Sequence, residues 1–130
     1  MAHKFRVLIV DDEPDIANSI AQVLEASMEG VAVTQASDGV EGLQALQAGE
    51  FDLILSDYKM PNMDGLEFLK HAKDMYPDVP RLLITAYPDP KLAARAVREA
   101  GVGLFIAKPF DVQYLVDVLK NNFERLRIAY

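Results

Sequence analysis

Four short apolar runs in this chain each stop at a residue whose side chain carries chemistry. Phe5-Arg6-Val7-Leu8-Ile9-Val10 stops at the pair Asp11-Asp12, and Phe51-Asp52-Leu53-Ile54-Leu55-Ser56 stops at Asp57. Leu82-Leu83-Ile84 stops at Thr85, and Leu104-Phe105-Ile106-Ala107 stops at Lys108. Runs this apolar, separated by helical patterns, are expected to be parallel strands buried on both faces. A weaker run, Val31-Ala32-Val33-Thr34, supplies another strand, second in chain order. Ligands of an open parallel sheet bind in the crevice outside the carboxyl ends of its strands. Three carboxylates, a hydroxyl and an amine are therefore expected along one edge.

Between these runs apolar residues recur at helical spacing. Ile16, Ile20, Val23 and Leu24 mark a first helix, and Val40, Leu43 and Leu46 a second. Leu66, Leu69, Ala72 and Met75 mark a third, opened by Asp64 as a cap with Glu67 three residues on. Leu92, Ala93, Ala96, Val97 and Ala100 mark a fourth, stopped at Gly101, and Leu115, Val118, Leu119 and Phe123 a fifth, capped by Asp111. Strict alternation of five strands and five helices predicts an α/β fold. It is a flavodoxin-like (βα)5 three-layer sandwich, with a parallel sheet in the order 2-1-3-4-5 and right-handed crossovers. In that order the first and third strands are neighbours. Asp11, Asp12 and Asp57 then sit where the strand order reverses.

The chain has 130 residues, enough for one domain with a single core. Its net charge of −7 argues against direct nucleic-acid binding and against an anionic membrane surface. With no cysteine, disulfides and thiolate metal sites are excluded. No run is long enough to span a bilayer, and the first residues carry no signal-peptide pattern, so a cytoplasmic domain is expected.

Clustered carboxylates repel: two unit charges ~4 Å apart cost roughly 4 kcal/mol at an effective dielectric of about 20. Such a cluster takes up a cation or a proton. Oxygen ligands without His or Cys suit a hard divalent ion, and magnesium fills its remaining positions with water and phosphate oxygens. With the Lys108 ammonium and the Thr85 hydroxyl, the set resembles a clamp for a phosphoryl group, in which one carboxylate can serve as nucleophile. Each residue alone has an ordinary reading. Asp38, Asp64, Asp89 and Asp111 are read as caps or loop residues, His3 and His71 as terminal and helix-surface residues, and Met60 and Met63 as loop packing. Joint placement at four strand ends sets the other five apart.

Three functions fit such an edge. They are a phosphorylation-controlled binding switch, a magnesium-dependent phosphatase or phosphotransferase acting on small molecules, and a flavin-binding electron carrier. Little chain remains for a substrate cap, which weighs against the enzyme. Asp11-Asp12-Glu13-Pro14 follows the first strand where a flavin carrier needs a hydroxyl-rich phosphate loop.

Four stretches resemble the receiver domain of bacterial two-component response regulators. They are Leu8-Ile9-Val10-Asp11-Asp12-Glu13-Pro14, Asp57-Tyr58-Lys59-Met60-Pro61-Asn62-Met63-Asp64-Gly65, Leu83-Ile84-Thr85-Ala86 and Ala107-Lys108-Pro109-Phe110. They lie in the family's order, and the resemblance covers residues 4–126. Residues 127–130 are then a tail or the start of a link to an effector.

The resemblance implies Asp57 as phosphoacceptor, Asp12 as direct Mg2+ ligand, Asp11 as the acid holding metal-bound water, and the Lys59 carbonyl as a further ligand. It implies that Thr85 and Lys108 bind phosphoryl oxygens and that Phe105 is the aromatic switch partner of Thr85. It also implies a cis peptide at Lys108-Pro109. The implied donor is a sensor histidine kinase or phosphotransfer protein, and the domain catalyses only its own phosphorylation and dephosphorylation. Output runs through the face of the fourth helix, fifth strand and fifth helix, with Tyr114, Phe105, Lys91, Arg95 and Arg98, which is also a candidate homodimer face. One departure is Pro88-Asp89-Pro90 at the start of the fourth helix, which is expected to stiffen a loop that usually rearranges.

Overall fold

The apolar runs become strands because both their faces are covered. The computed structural model describes residues 5–86 and 89–129, with side chains as far as residue 121. Strands β1 (Phe5–Val10), β2 (Val31–Ala36), β3 (Leu53–Asp57), β4 (Arg81–Thr85) and β5 (Leu104–Ala107) form one parallel sheet, ordered β2-β1-β3-β4-β5. This is the expected order. Side chains alternate faces with period two. Val7, Ile9, Leu53, Leu55, Leu82, Ile84 and Ile106 point into one core, and Leu8, Val10, Ile54 and Leu83 into the other. Helices α1 (Pro14–Ser27) and α5 (Val112–Ala129) cover the first face. Helices α2 (Gly39–Ala48), α3 (Gly65–Met75) and α4 (Pro90–Ala100) cover the second.

Four of the five helices, α2 to α5, start where short acids satisfy free amides. The Asp38, Asp64 and Asp89 carboxylates accept from the Glu41, Glu67 and Lys91 N–H groups, and Asp111 accepts from Gln113 and Tyr114. Pro90 occupies the first turn of α4, and Gly101 ends that helix at φ 60°, a left-handed conformation that suits glycine. Pro88, the other proline of the turn expected to be stiff, lies outside the described residues, as do the side chains of Phe123 and Ile128 and the whole of His3 and Tyr130. The path of α5 reaches Ala129, so residues 127–129 continue the last helix. His71 is exposed on α3, and Met60 and Met63 pack against the second core. Among the described residues, no helix is long and apolar enough to cross a membrane.

Some boundaries and faces differ from expectation. β2 runs two residues further, to Ala36. β3 begins at Leu53 and includes Asp57, and β4 begins at Arg81. Val40, Met75 and Val97 are exposed, whereas Phe68 and Val116 belong to the cores. Helical spacing gives a stripe, but the neighbouring element decides where the stripe is centred. A Cβ on Gly42 of α2 would come within 2.6 Å of the Phe68 ring, so the bare glycine is what admits that ring between α2 and α3.

Candidate functional site

Backbone register assembles the site. Val10 pairs with Ser56, which sets Asp11 beside Asp57 at the adjoining ends of β1 and β3. Hydrogen bonds just beyond the strands fix the same edge. The Asp11 N–H donates to Ala36 O at 3.0 Å, Tyr58 N–H to Ile84 O at 2.8 Å, and Lys108 N–H to Thr85 O at 2.8 Å. Gly65 backs directly onto this edge. Its N–H donates to Tyr58 O at 2.6 Å, and a Cβ there would overlap the Asp57 carbonyl oxygen. No other residue type fits at position 65 without moving the end of β3. Lys108-Pro109 is cis, as the resemblance implies.

The side chains converge on Lys108. Its Nζ lies 3.0 Å from Asp57 Oδ2, 3.1 Å from Glu13 Oε1 and 3.9 Å from Asp11 Oδ2. Asp11 and Asp57 are only 3% and 5% exposed, while Asp12 and Glu13 face solvent. Asp11 Oδ1 accepts from the Glu13 N–H at 2.8 Å, but Asp11 Oδ2 is buried without a hydrogen-bond partner.

Burial, reinforced by neighbouring Asp57 and opposed by the Glu13 N–H and Lys108, pushes the Asp11 carboxyl up to about 6. Burial also raises Asp57, against the opposing bond from Lys108. Burial alone would lower Lys108, but its bonds to Asp57 and Glu13 outweigh this and hold the ammonium above its ordinary range. Both shifts of the acids follow from desolvation of a charge.

Carboxylate oxygens of Asp11, Asp12, Glu13 and Asp57 all lie within 4.8 Å of one another. Four hard oxygen donors, no sulfur or imidazole, and one orphaned buried oxygen make a donor set that fits magnesium. Thr85 ends β4, on the strand next to Asp57, and is 2% exposed. Phe105 is paired with Leu83 two residues before Thr85 and is partly buried against the second core. The Lys59 side chain is exposed in the loop after β3. Glu13 was given no role by the sequence reading. Its signal was its place directly after the acidic pair, yet its partner Lys108 is 95 residues away. Beside the site, Ile16, Ala86, Pro109, Phe110 and Val112 line an apolar groove of about 420 Å³ between α1 and the start of α5.

Residues 7–120 match the family model described as the response regulator receiver domain. The chain is 33% identical over 123 residues to the C4-dicarboxylate transport transcriptional regulatory protein DctD of Rhizobium meliloti (strain 1021), covering 95% of this chain and 26% of that protein. The chain thus spans about a quarter of the length of the curated relatives it matches. Among solved structures, it is similar to a CheY-like response regulator receiver domain protein from Methanospirillum hungatei JF-1. The identity is 31% and the TM-score 0.87, over 98% of this chain and 99% of that one. It is also similar to the signal receiver domain of an HD domain-containing protein from Pseudomonas fluorescens Pf-5. There the identity is 32% and the TM-score 0.85, over 95% and 97% of the two chains.

Proposed function

The chain belongs to the response regulator receiver domain family, and from that premise we propose that it is the phosphoacceptor of a two-component phosphorelay, with Asp57 as the accepting residue. The observation that carries this reading is the ion pair of a buried carboxylate and a strand-end ammonium, Asp57 Oδ2 to Lys108 Nζ at 3.0 Å. An Asp57 oxygen attacks the phosphorus of a phosphohistidine on a sensor kinase or phosphotransfer protein. The new P–O bond forms as the P–N bond breaks, and the electron pair returns to the imidazole. Lys108 neutralises one phosphoryl oxygen and the Thr85 hydroxyl donates to another. Asp11, Asp12, Asp57 and the Lys59 carbonyl are the proposed holders of magnesium, which when bound supplies countercharge to the phosphoryl oxygens. The apolar groove beside the site gives a protein donor a footing, and Thr85, Lys108 and the acids that hold magnesium also promote hydrolysis of the acyl phosphate.

The readout is a two-state shift. Thr85 moves toward the phosphoryl group, and Phe105 turns into the space it leaves. Burying more of a phenyl ring contributes roughly 25 cal/mol per Å², enough to shift populations several-fold. The changed surface is α4, β5 and α5, where Val97 and Tyr114 are exposed and which either an output partner or a second copy can use. The proposed domain runs from 4 to 126 and works in the cytoplasm. Acetyl phosphate with magnesium should add one base-labile acyl phosphate, read by mass spectrometry, and Asp57→Asn should abolish it. An adduct that persists in the substituted protein moves the nucleophile to Asp11 or Asp12. Multiple turnover on an external phosphate ester would instead establish a true phosphatase.

A further inference from the structure

Lys108 has two strong partners, and only one of them belongs to the phosphoacceptor. Its Nζ sits 3.0 Å from Asp57 and 3.1 Å from Glu13, at nearly equal distance. The two carboxylates differ in surroundings. Asp57 is buried, whereas the Glu13 side chain is 57% exposed, at the mouth of the site. Glu13 is also held in place. Its N–H donates to Asp11 Oδ1 at 2.8 Å, and its carbonyl accepts from Ile16 and Ala17 at the start of α1. The carboxylate is therefore delivered to Lys108 from an anchored backbone.

An ammonium has three donors, and each is stronger toward a charged acceptor. A phosphoryl oxygen entering the site shares the charge of Lys108 with the acceptors already bound to it. The buried Asp57 is the atom being modified, so the partner that can yield is Glu13. We propose that Glu13 is a positioning residue that sets the phosphoryl affinity of the site by competing for Lys108. This inference rests on the phosphoacceptor reading. It makes the ground state a stored ion pair at the mouth, and it makes the retention of the phosphoryl group tunable at a position outside the reacting atoms.

The test uses beryllofluoride, a stable phosphoryl mimic, titrated at saturating magnesium and followed by fluorine NMR on the whole chain. Glu13→Gln should tighten beryllofluoride binding about two- to fivefold, the scale of an exposed ion pair. It should lower the half-saturating acetyl phosphate concentration equally. Glu13→Asp keeps the charge but falls one methylene short of Lys108, so it should behave like Glu13→Gln. In a Lys108→Met background the gain from Glu13→Gln should vanish, as a double-mutant cycle requires for direct coupling. An equal gain in both backgrounds, or Glu13→Asp matching the parent, would reduce Glu13 to a general charge at the mouth and overturn the proposal. So would no gain at all. If the parent itself binds no beryllofluoride, the phosphoacceptor reading falls and takes this inference with it.

Discussion

Strand β4 begins at Arg81 and ends at Thr85, and the two ends of the sheet it spans treat buried charge in opposite ways. At the amino end Arg81 is 7% exposed, and its guanidinium is bonded on every nitrogen. Nε donates to Ala100 O at 2.8 Å. Nη1 donates to the carbonyls of Val79, Tyr76 and Pro77 at 2.8, 3.2 and 3.2 Å, and Nη2 to Gly101 O at 3.5 Å. These oxygens include the free carbonyls at the C-termini of α3 and α4, where helix dipoles favour a cation. Burial lowers the Arg81 pKa, with nearby Asp78 opposing, but the neutral acceptors leave nothing for a ligand to satisfy.

At the carboxyl end, two buried acids share one lysine, and an Asp11 oxygen lacks a hydrogen bond. A buried charge fully met by backbone belongs to the architecture. One met only in part is held ready for a cation or an anion from outside. Helix α4 spans both regimes. Its C-terminal end is clamped by Arg81, while its first turn, toward the site, is capped by the Asp89 side chain.

The contrast predicts that the Arg81 end carries the stability. Arg81→Met should cost about 3 kcal/mol or more, because charged hydrogen bonds are lost and buried carbonyls are left unpaired. Urea unfolding measures this, and a loss below about 1 kcal/mol would break the comparison.

The acid end should show the opposite sign. In the metal-free protein Asp11 titrates near about 6, against an ordinary 3.8. The fold thus favours the protonated acid. Its stabilising contribution is complete below the ordinary value and is lost as pH rises through about 6. Asp57, also raised, acts in the same direction. Asp11→Asn should flatten that fall and stabilise the metal-free protein at pH 7 by on the order of 2 kcal/mol. Thermal melts with chelator from pH 4 to 8 read it, and a variant no more stable than the parent at pH 7 refutes it.

The smallest effect should fall on the lightly held end of α4. Asp89→Ala should cost about 1 kcal/mol and speed amide exchange in the first turn of α4 while leaving residues near Gly101 protected. Uniform acceleration along the helix would remove the distinction between its two ends.

How much of this was legible in the chain differs by kind of feature. The acids at strand ends could be read because strand period and strand termination are local properties. Once five βα units are counted, few topologies remain for them. Asp38, Asp64, Asp89 and Asp111 could be read as caps because a cap bonds to an amide two or three residues away. Apolar faces were legible only in direction. Val40 and Val97 share the helical spacing of their stripes yet stay exposed, because neighbouring helices cover only part of each stripe.

The sequence by itself determined the sheet, its order and the edge where Asp11, Asp12, Asp57, Thr85 and Lys108 come together, since all of these follow from short-range pattern and chain order. Tertiary structure alone decided that Arg81 is buried among carbonyls 2 to 20 residues away, and that Glu13 holds Lys108 across 95 residues. Charged side chains look alike in sequence. What a charge does is set by its desolvation and by the acceptors that remain around it, and both are properties of the packed fold.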